Sequence, residues 1–364
     1  MRWMIIALAF ALASCNDRTA APVVPDALNF GLNKTVFIGT TRQLNDAGEY
    51  GIDRATSLQF LQATVSIPPQ REIGSVSDGF DKPKPERDFV IAELAKFADS
   101  RSFASGLRTK IDASKSRDVT VFVHGFNNSF SDAAFRMAQL AHDLEIPGTH
   151  VSYAWPSRGN PLGYEYDRDS ALFARDGLAD LLRTVRSAGQ PNIVLVAHSM
   201  GGALVMETLR QLDIAEPGWA ARNIGAIILI SPDINVDVFR SQMARLQSVP
   251  ERFVVIVSRK DAVLRVSSRL RGVESQLGNI ANANEVSDLP ITVVDVTEFS
   301  DRRSANHFVA GGSPALIQLL RRSSDLDRGF LRGRSGSTVV VSGQRRIVSR
   351  GGATRPIPRS AADR

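Results

Sequence analysis

Between residues 118 and 322, short runs rich in Val and Ile alternate with stripes of helical periodicity, and this alternation restricts the chain to one class of architecture. The runs are DVTVFV (118–123), HVSYAW (150–155), NIVLVA (192–197), IGAIILI (224–230), RFVVIV (252–257) and ITVVDV (291–296). Uninterrupted apolar runs of this length suit strands covered on both faces, the condition of a parallel sheet. Between them, Met137, Leu140, Ala141 and Leu144 form one helical stripe, and Leu178, Leu182 and Val185 a second. Leu204, Val205, Thr208, Leu209 and Leu212 form a third, and Leu316, Leu319 and Leu320 a fourth. Such alternation implies a doubly wound α/β fold, a mostly parallel sheet with helices on both faces. Ahead of it, TVFIGTTR (35–42) and SLQFLQATVSI (57–67) read as leading strands at an antiparallel edge, and the Pro- and charge-rich stretch 68–89 as a loop. The run FVIAELAKF (89–97) suits a strand or a helix equally. Residues 233–250 have room for one helix, which leaves no large cap domain over the sheet.

Ligands of parallel sheets bind beyond the carboxyl ends of the strands, so the residues that follow each run carry the chemistry. His124-Gly125-Phe126-Asn127-Asn128 follows the first run, His198-Ser199-Met200-Gly201 the third, Ser258-Arg259-Lys260-Asp261 the fifth, and Glu298 through His307 the sixth. A serine hydroxyl becomes a nucleophile when a base takes its proton, so Ser199 needs an imidazole within reach. His307 is the candidate. Among its rivals, His142 lies in a helical stripe, His150 at the wrong end of a strand, His198 beside the nucleophile and His124 in the first strand-end loop. The imidazole in turn needs an acid to fix its tautomer. Asp261 is favoured for that role over Asp233, which is also placed to cap a helix beginning near Val236; Asp295, Glu298 and Asp301 remain as lesser choices. The backbone N–H groups of Phe126 and Met200 are the expected oxyanion donors, and Ala197 and Gly201 leave room for a sharp turn at Ser199. His124, Tyr153, Trp155 and Arg158 are candidate pocket residues, with Arg158 suited to an anionic group.

These residues, His124-Gly125-Phe126-Asn127 and Ala197-His198-Ser199-Met200-Gly201 with Asp261 and His307 downstream, resemble the α/β-hydrolase superfamily. SYAWPSRG (152–159) and SPDINVDVF (231–239) bring the likeness closest to esterase- or lipase-like bacterial hydrolases that are largely uncharacterised. The resemblance covers residues 34–322. It implies an α/β-hydrolase fold and cleavage of a small-molecule or lipid ester through an acyl-enzyme, with neither a metal nor an organic cofactor. Two other functions fit the same residues: transfer of the acyl group to an acceptor other than water, and a non-catalytic envelope-binding lipoprotein. Dehalogenase chemistry on this fold would want a carboxylate in place of Ser199.

The two ends read differently. MRWMIIALAFALASC joins one cation to an apolar run too short for a comfortable membrane span, the pattern of a signal peptide. Leu12-Ala13-Ser14-Cys15 resembles a bacterial lipobox, and Cys15 is the single cysteine of the chain, so it has no internal disulfide partner. Residues 1–15 are therefore expected to direct export, Cys15 to carry a lipid at the surface of a membrane of the cell envelope, and 16–33 to act as tether. Residues 323–364 hold nine arginines against three aspartates, which equals the whole net charge of +6. This tail is expected to be disordered, with anionic envelope components as partners and nucleic acid the least suited.

Overall fold

The structure, a computed structural model, describes residues 22–79, 82–271, 276–300, 308–322, 337–341, 346–350 and 353–356. Six strands fall on the six runs: β4 (Asp118–Val123), β5 (Thr149–Ala154), β6 (Asn192–His198), β7 (Ile224–Ile230), β8 (Arg252–Val257) and β9 (Thr292–Asp295). They are preceded by β1 (Leu32–Leu44), β2 (Tyr50–Ile67) and β3 (Val90–Lys96), so the ambiguous run at 89–97 is a strand. Pairing decides it, because β3 adds antiparallel to β2, which itself pairs antiparallel to β1.

With β10 (Ser337–Val341), β11 (Arg346–Arg350) and β12 (Ala353–Pro356) added, the spatial order is β12-β11-β10-β9-β8-β7-β6-β4-β5-β1-β2-β3. Neighbours from β9 through to β1 are parallel. Along β4, alternate residues enter opposite layers. Val119, Val121 and Val123 join one buried cluster with Leu178, Leu182, Leu204 and Leu209, whereas Phe122 joins the other with Phe135, Met137 and Leu316. This period of two places helices on both faces. One layer holds α1 (Ser100–Asp112), α3 (Tyr164–Ser187), α4 (Met200–Ala215), α5 (Trp219–Asn223) and α6 (Val236–Met243). The other holds α2 (Phe130–Asp143), α8 (Val309–Gly312) and α9 (Pro314–Arg322). One helix, α7 (Ala262–Arg271), follows β8, and the β7–β8 connection contains α6, in keeping with a fold that has no large cap there.

The C-terminal segment departs from the expected disorder. Within it, β10 (Ser337–Val341), β11 (Arg346–Arg350) and β12 (Ala353–Pro356) extend the sheet. β10 runs parallel to β9, and the β-branched stretch Thr338 to Val341 supplies residues suited to pairing with what would otherwise be an edge. Residues 1–21, with Cys15, and the remaining parts of the tail lie outside the described residues.

The 68–89 loop is fastened to the helical layer. Asp143, at the end of α2, pairs with Arg71 and accepts from the Gly74 N–H at 2.7 Å and from Gln139 Nε2 at 2.7 Å. Gln139 Nε2 also donates to the Gly311 carbonyl at 3.0 Å, which ties α8 to the same carboxylate. Burial by itself would raise the Asp143 carboxyl; the Arg71, Gln139 and Gly74 donors outweigh it and hold the group below the usual carboxylate range. Replacing Asp143 by Ala leaves Arg71 and Gln139 facing a void, so the expected loss of unfolding free energy is about 3 kcal/mol. Urea titration measures it, and a loss within the scatter of surface substitutions would contradict the assignment.

Candidate active site

The sheet reverses its winding at β4, since the chain proceeds to β5 on one side and to β6 on the other. A crevice opens at such a switch point, beyond the carboxyl ends of the two strands that flank it. The β4–β6 register ends on Val123 opposite Ala197, which brings the loop after β4 alongside His198 and Ser199. The two loops touch. A Cβ placed on Gly125 would lie 2.8 Å from Ser199 Cβ and 2.9 Å from His198 Nδ1, so glycine is needed for this approach.

Ser199 stands between β6 and α4 with φ 53° and ψ −123°. For a residue with a side chain this backbone costs about 1–3 kcal/mol and persists only when its surroundings enforce it. They do so here. The Ser199 N–H donates to the Ile230 carbonyl at 3.0 Å, and the Ser199 carbonyl accepts from Gly202 N–H at 2.9 Å and Asp233 N–H at 3.1 Å. Gly201 completes the turn: a Cβ there would lie 2.3 Å from the His124 carbonyl oxygen and 2.6 Å from that of Val123, both rigid backbone. Ser199 is buried at the head of α4, where the first N–H groups have no partner within the helix and the helix dipole is positive. Ala197 is fully enclosed.

The expected acids flank the same region. Asp261 follows β8 and is fully buried; its Oδ1 accepts from the Leu264 N–H at 3.0 Å at the start of α7. Asp233 follows β7 and accepts from the Tyr164 hydroxyl at 2.7 Å and from Ser267 Oγ at 3.2 Å. It does not cap α6, a role taken by Asn235, whose side chain accepts from the N–H groups of Asp237 and Val238. His307 lies outside the described residues. Its neighbour Phe308 packs edge-on against His198, with ring centroids 4.6 Å apart, so the chain beside His307 is tied to the residue beside Ser199.

Two of the candidate pocket residues are core instead. Tyr153 is fully buried and its hydroxyl donates to the Ala174 carbonyl at 2.7 Å, while Trp155 stacks on His124 with centroids 4.8 Å apart. Strand alternation turns both into the α3–α4 layer rather than toward the crevice. Arg158 is exposed, with its guanidinium 5.8 Å from the Tyr166 ring. His124 is buried as well, its Nδ1 2.8 Å from the Gly125 carbonyl and its Nε2 3.1 Å from that of Trp155. Phe126 is half-buried against Tyr164. A cleft lined by Met243, Leu246, Val249, Leu289 and Pro290 lies toward the amino ends of β8 and β9, the opposite end of the sheet.

Three residues outside the strand-end motifs also shape the site: Asp167, Arg42 and Tyr164. Asp167 is fully buried on α3, at a position that shares the helical stripe of Ala171, Ala174 and Leu178. A charged residue on an apolar stripe is the signal that marks it. Arg42 is buried at the end of β1 and donates to the carbonyls of Gly51, Ser157 and Asn128. Burial lowers its guanidinium to about 10 against the opposing field of Asp167, so it stays charged at neutral pH.

Burial, and secondarily the charge of Arg42, lowers the His124 imidazole from 6.5 to about 3. The folded state therefore keeps this ring neutral where an unfolded chain protonates it. As pH falls below 6.5 the unfolded state takes up a proton that the folded state does not, and stability declines. The slope from this group approaches about 1.4 kcal/mol per pH unit. The His124 ring-proton shifts are expected to stay flat down to about pH 4.5, and a titration centred near 6 would refute the assignment. In His124→Asn the dependence of unfolding free energy on pH should be shallower over the same range.

Comparison with known proteins agrees with this architecture. The profile of a family described as alpha/beta hydrolase of unknown function (DUF900) matches residues 99–323, from the start of α1 to the end of α9. A 64-residue stretch is 39% identical to the uncharacterized protein alr1448 of Nostoc sp., covering 17% of this chain and 16% of that protein's length. Among solved structures, a metagenome-derived lipolytic enzyme from work on LipS and LipT is 14% identical, with a TM-score of 0.38 over 58% of this chain and 94% of that one. An alpha-beta serine hydrolase homologue from Coxiella burnetii is 14% identical, with a TM-score of 0.34 over 73% and 92% of the two chains. A hyperthermophilic esterase from the archaeon Pyrobaculum calidifontis is 13% identical, with a TM-score of 0.37 over 85% and 89%. These distant likenesses add nothing to what the strand order already shows. The family match spans more than half of the sequence, and the chain belongs to the alpha/beta hydrolases of unknown function.

Proposed function

We propose that the chain is a serine hydrolase that cleaves carboxylic esters, with Ser199 as nucleophile, His307 as base and Asp261 as the acid that orients it. The observation that carries this reading is the left-handed backbone of Ser199 at the β6–α4 turn with Gly125 of the β4 loop packed against it. A strained serine at the head of a helix, at the switch point of the sheet, supports a role as nucleophile over a role in packing. In the reaction His307 takes the Ser199 hydroxyl proton as Oγ bonds to the acyl carbon. The carbonyl oxygen becomes an oxyanion held by the N–H groups of Phe126 and Met200. Collapse of this intermediate expels the alcohol, which receives the proton from His307. Water, deprotonated by the same imidazole, then releases the acid and restores Ser199. Asp261 is preferred to Asp233 because the Asp233 carboxylate holds Tyr164 and Ser267 in place.

A fluorophosphonate probe is expected to label the wild type and to leave Ser199→Ala unlabelled; a folded wild type that takes no label sinks the reading. With nitrophenyl esters, Asp261→Asn is expected to lower kcat by about 10⁴, and Asp233→Asn to act mainly on stability. The reverse pattern would move the acid to Asp233.

We further propose that the enzyme lies outside the cytoplasm on a lipid carried by Cys15, with the arginine-rich segment beyond residue 323 near anionic envelope components. The lipobox-like Leu12-Ala13-Ser14-Cys15 supports it. Cys15→Ser is expected to shift the protein from the membrane fraction to the soluble fraction of the producing cell, and unchanged membrane retention would count against the anchor.

A further inference from the structure

The loop that supplies Phe126 is held by a frame of buried side chains. In a trans peptide the C=O and the following N–H point in opposite directions. The Gly125 carbonyl faces the His124 ring at 2.8 Å and the Asn128 Nδ2 at 3.2 Å, so the Phe126 N–H is directed to the other side. Asn128 Nδ2 also donates to the Phe126 carbonyl at 2.8 Å, which makes the Asn128 side chain the clamp on this peptide. Asn128 is itself fixed at both backbone groups. Its N–H donates to Ser157 Oγ at 3.1 Å, and its carbonyl accepts from Arg42 at 2.7 Å. Asn127 takes up a left-handed φ of 59°.

Two of these restraints, at the Asn127 backbone and at Ser157, lead back to one carboxylate. Asp167 Oδ2 accepts from the Asn127 N–H at 3.1 Å and from the Ser157 hydroxyl at 2.5 Å, and Oδ1 accepts from the Arg158 N–H at 2.6 Å. The three partners lie on the loops after β4 and β5, and each presents a donor. An uncharged amide in this place would set its own NH₂ against one of them. Hydrogen bonds to an ionised acceptor are also the stronger kind.

We propose that Asp167 is a positioning residue for the oxyanion-binding loop, and that its carboxylate, relayed through Ser157 and Asn128, fixes the direction of the Phe126 N–H. The inference rests on the reading of Ser199 as the nucleophile. Asp167 acts through other residues, so its loss displaces a donor without altering the nucleophile, the base or the face that binds the substrate.

Asp167→Asn tests this with a nitrophenyl ester and its thiono analogue. Sulfur is a poor hydrogen-bond acceptor, so the preference for the oxygen ester reports the oxyanion donors. Loss of one such donor costs about 100-fold in kcat, and that is the loss expected for Asp167→Asn, with KM within about twofold of the wild type. The oxygen-over-sulfur preference should fall with kcat. Ser157→Ala, which keeps the carboxylate but cuts the relay to Asn128, should show the same split at about tenfold; it decides the matter if Asp167→Asn does not fold. A folded variant with unchanged kcat, or with reduced kcat and an unchanged oxygen-over-sulfur preference, overturns the inference while the nucleophile reading stands. A wild type that neither takes the fluorophosphonate label nor turns over esters overturns both.

Discussion

The contact between the ends of β4 and β6 is the constraint on which the site depends. Two parallel strands pair in register up to Val123 and Ala197, and both chains must then leave the sheet through the same small volume. Side chains do not fit there. Gly125 and Gly201 each meet backbone or Ser199 at distances that no Cβ tolerates, and Ser199 is turned into the left-handed region to let α4 begin at once. The strain at Ser199 is offset by hydrogen bonds to Ile230, Gly202 and Asp233, so the rest of the sheet stabilises a conformation that the serine would not adopt alone.

Around that contact the molecule places charged and polar groups deep inside, where they are costly unless fully engaged. Asp167, Arg42 and His124 form one such set on the α3 side, and Asp143 with Arg71 and Gln139 another on the α2 side. Each set ties loops to the strands and helices beside them. The first joins β1 and α3 to the loops after β4 and β5; the second joins the 68–89 loop to α2 and α8. Apolar contacts define the layers, and directional bonds define where the loops stop, because dispersion has no orientation and a hydrogen bond does.

Much of this was legible in the residues. The six Val- and Ile-rich runs became six strands, and the small residues beside Ser199 stand where the turn needs them. Other features were hidden for identifiable reasons. FVIAELAKF satisfied two periodicities, and only pairing with β2 selected the strand. Tyr153 and Trp155 carry polar tips that suit a pocket, yet strand alternation directed them into the core. Charge composition alone points to disorder in the arginine-rich segment, whereas the local β-branched character of Val339 to Val341 governs the pairing with β9. Asp167 left a trace, a carboxylate on an apolar stripe, but nothing in the one-dimensional pattern names its partners.

The sequence by itself determined the layer architecture and the inventory of groups at the strand ends, because hydrophobic period and turn chemistry are local properties. Only the tertiary structure decided that β4 lies beside β6, and therefore that Gly125 meets Ser199 and that Asp167 reaches Asn127 and Ser157. Strands separated by a third strand and two helices find one another through burial of both faces at once, and no short stretch of residues encodes that adjacency.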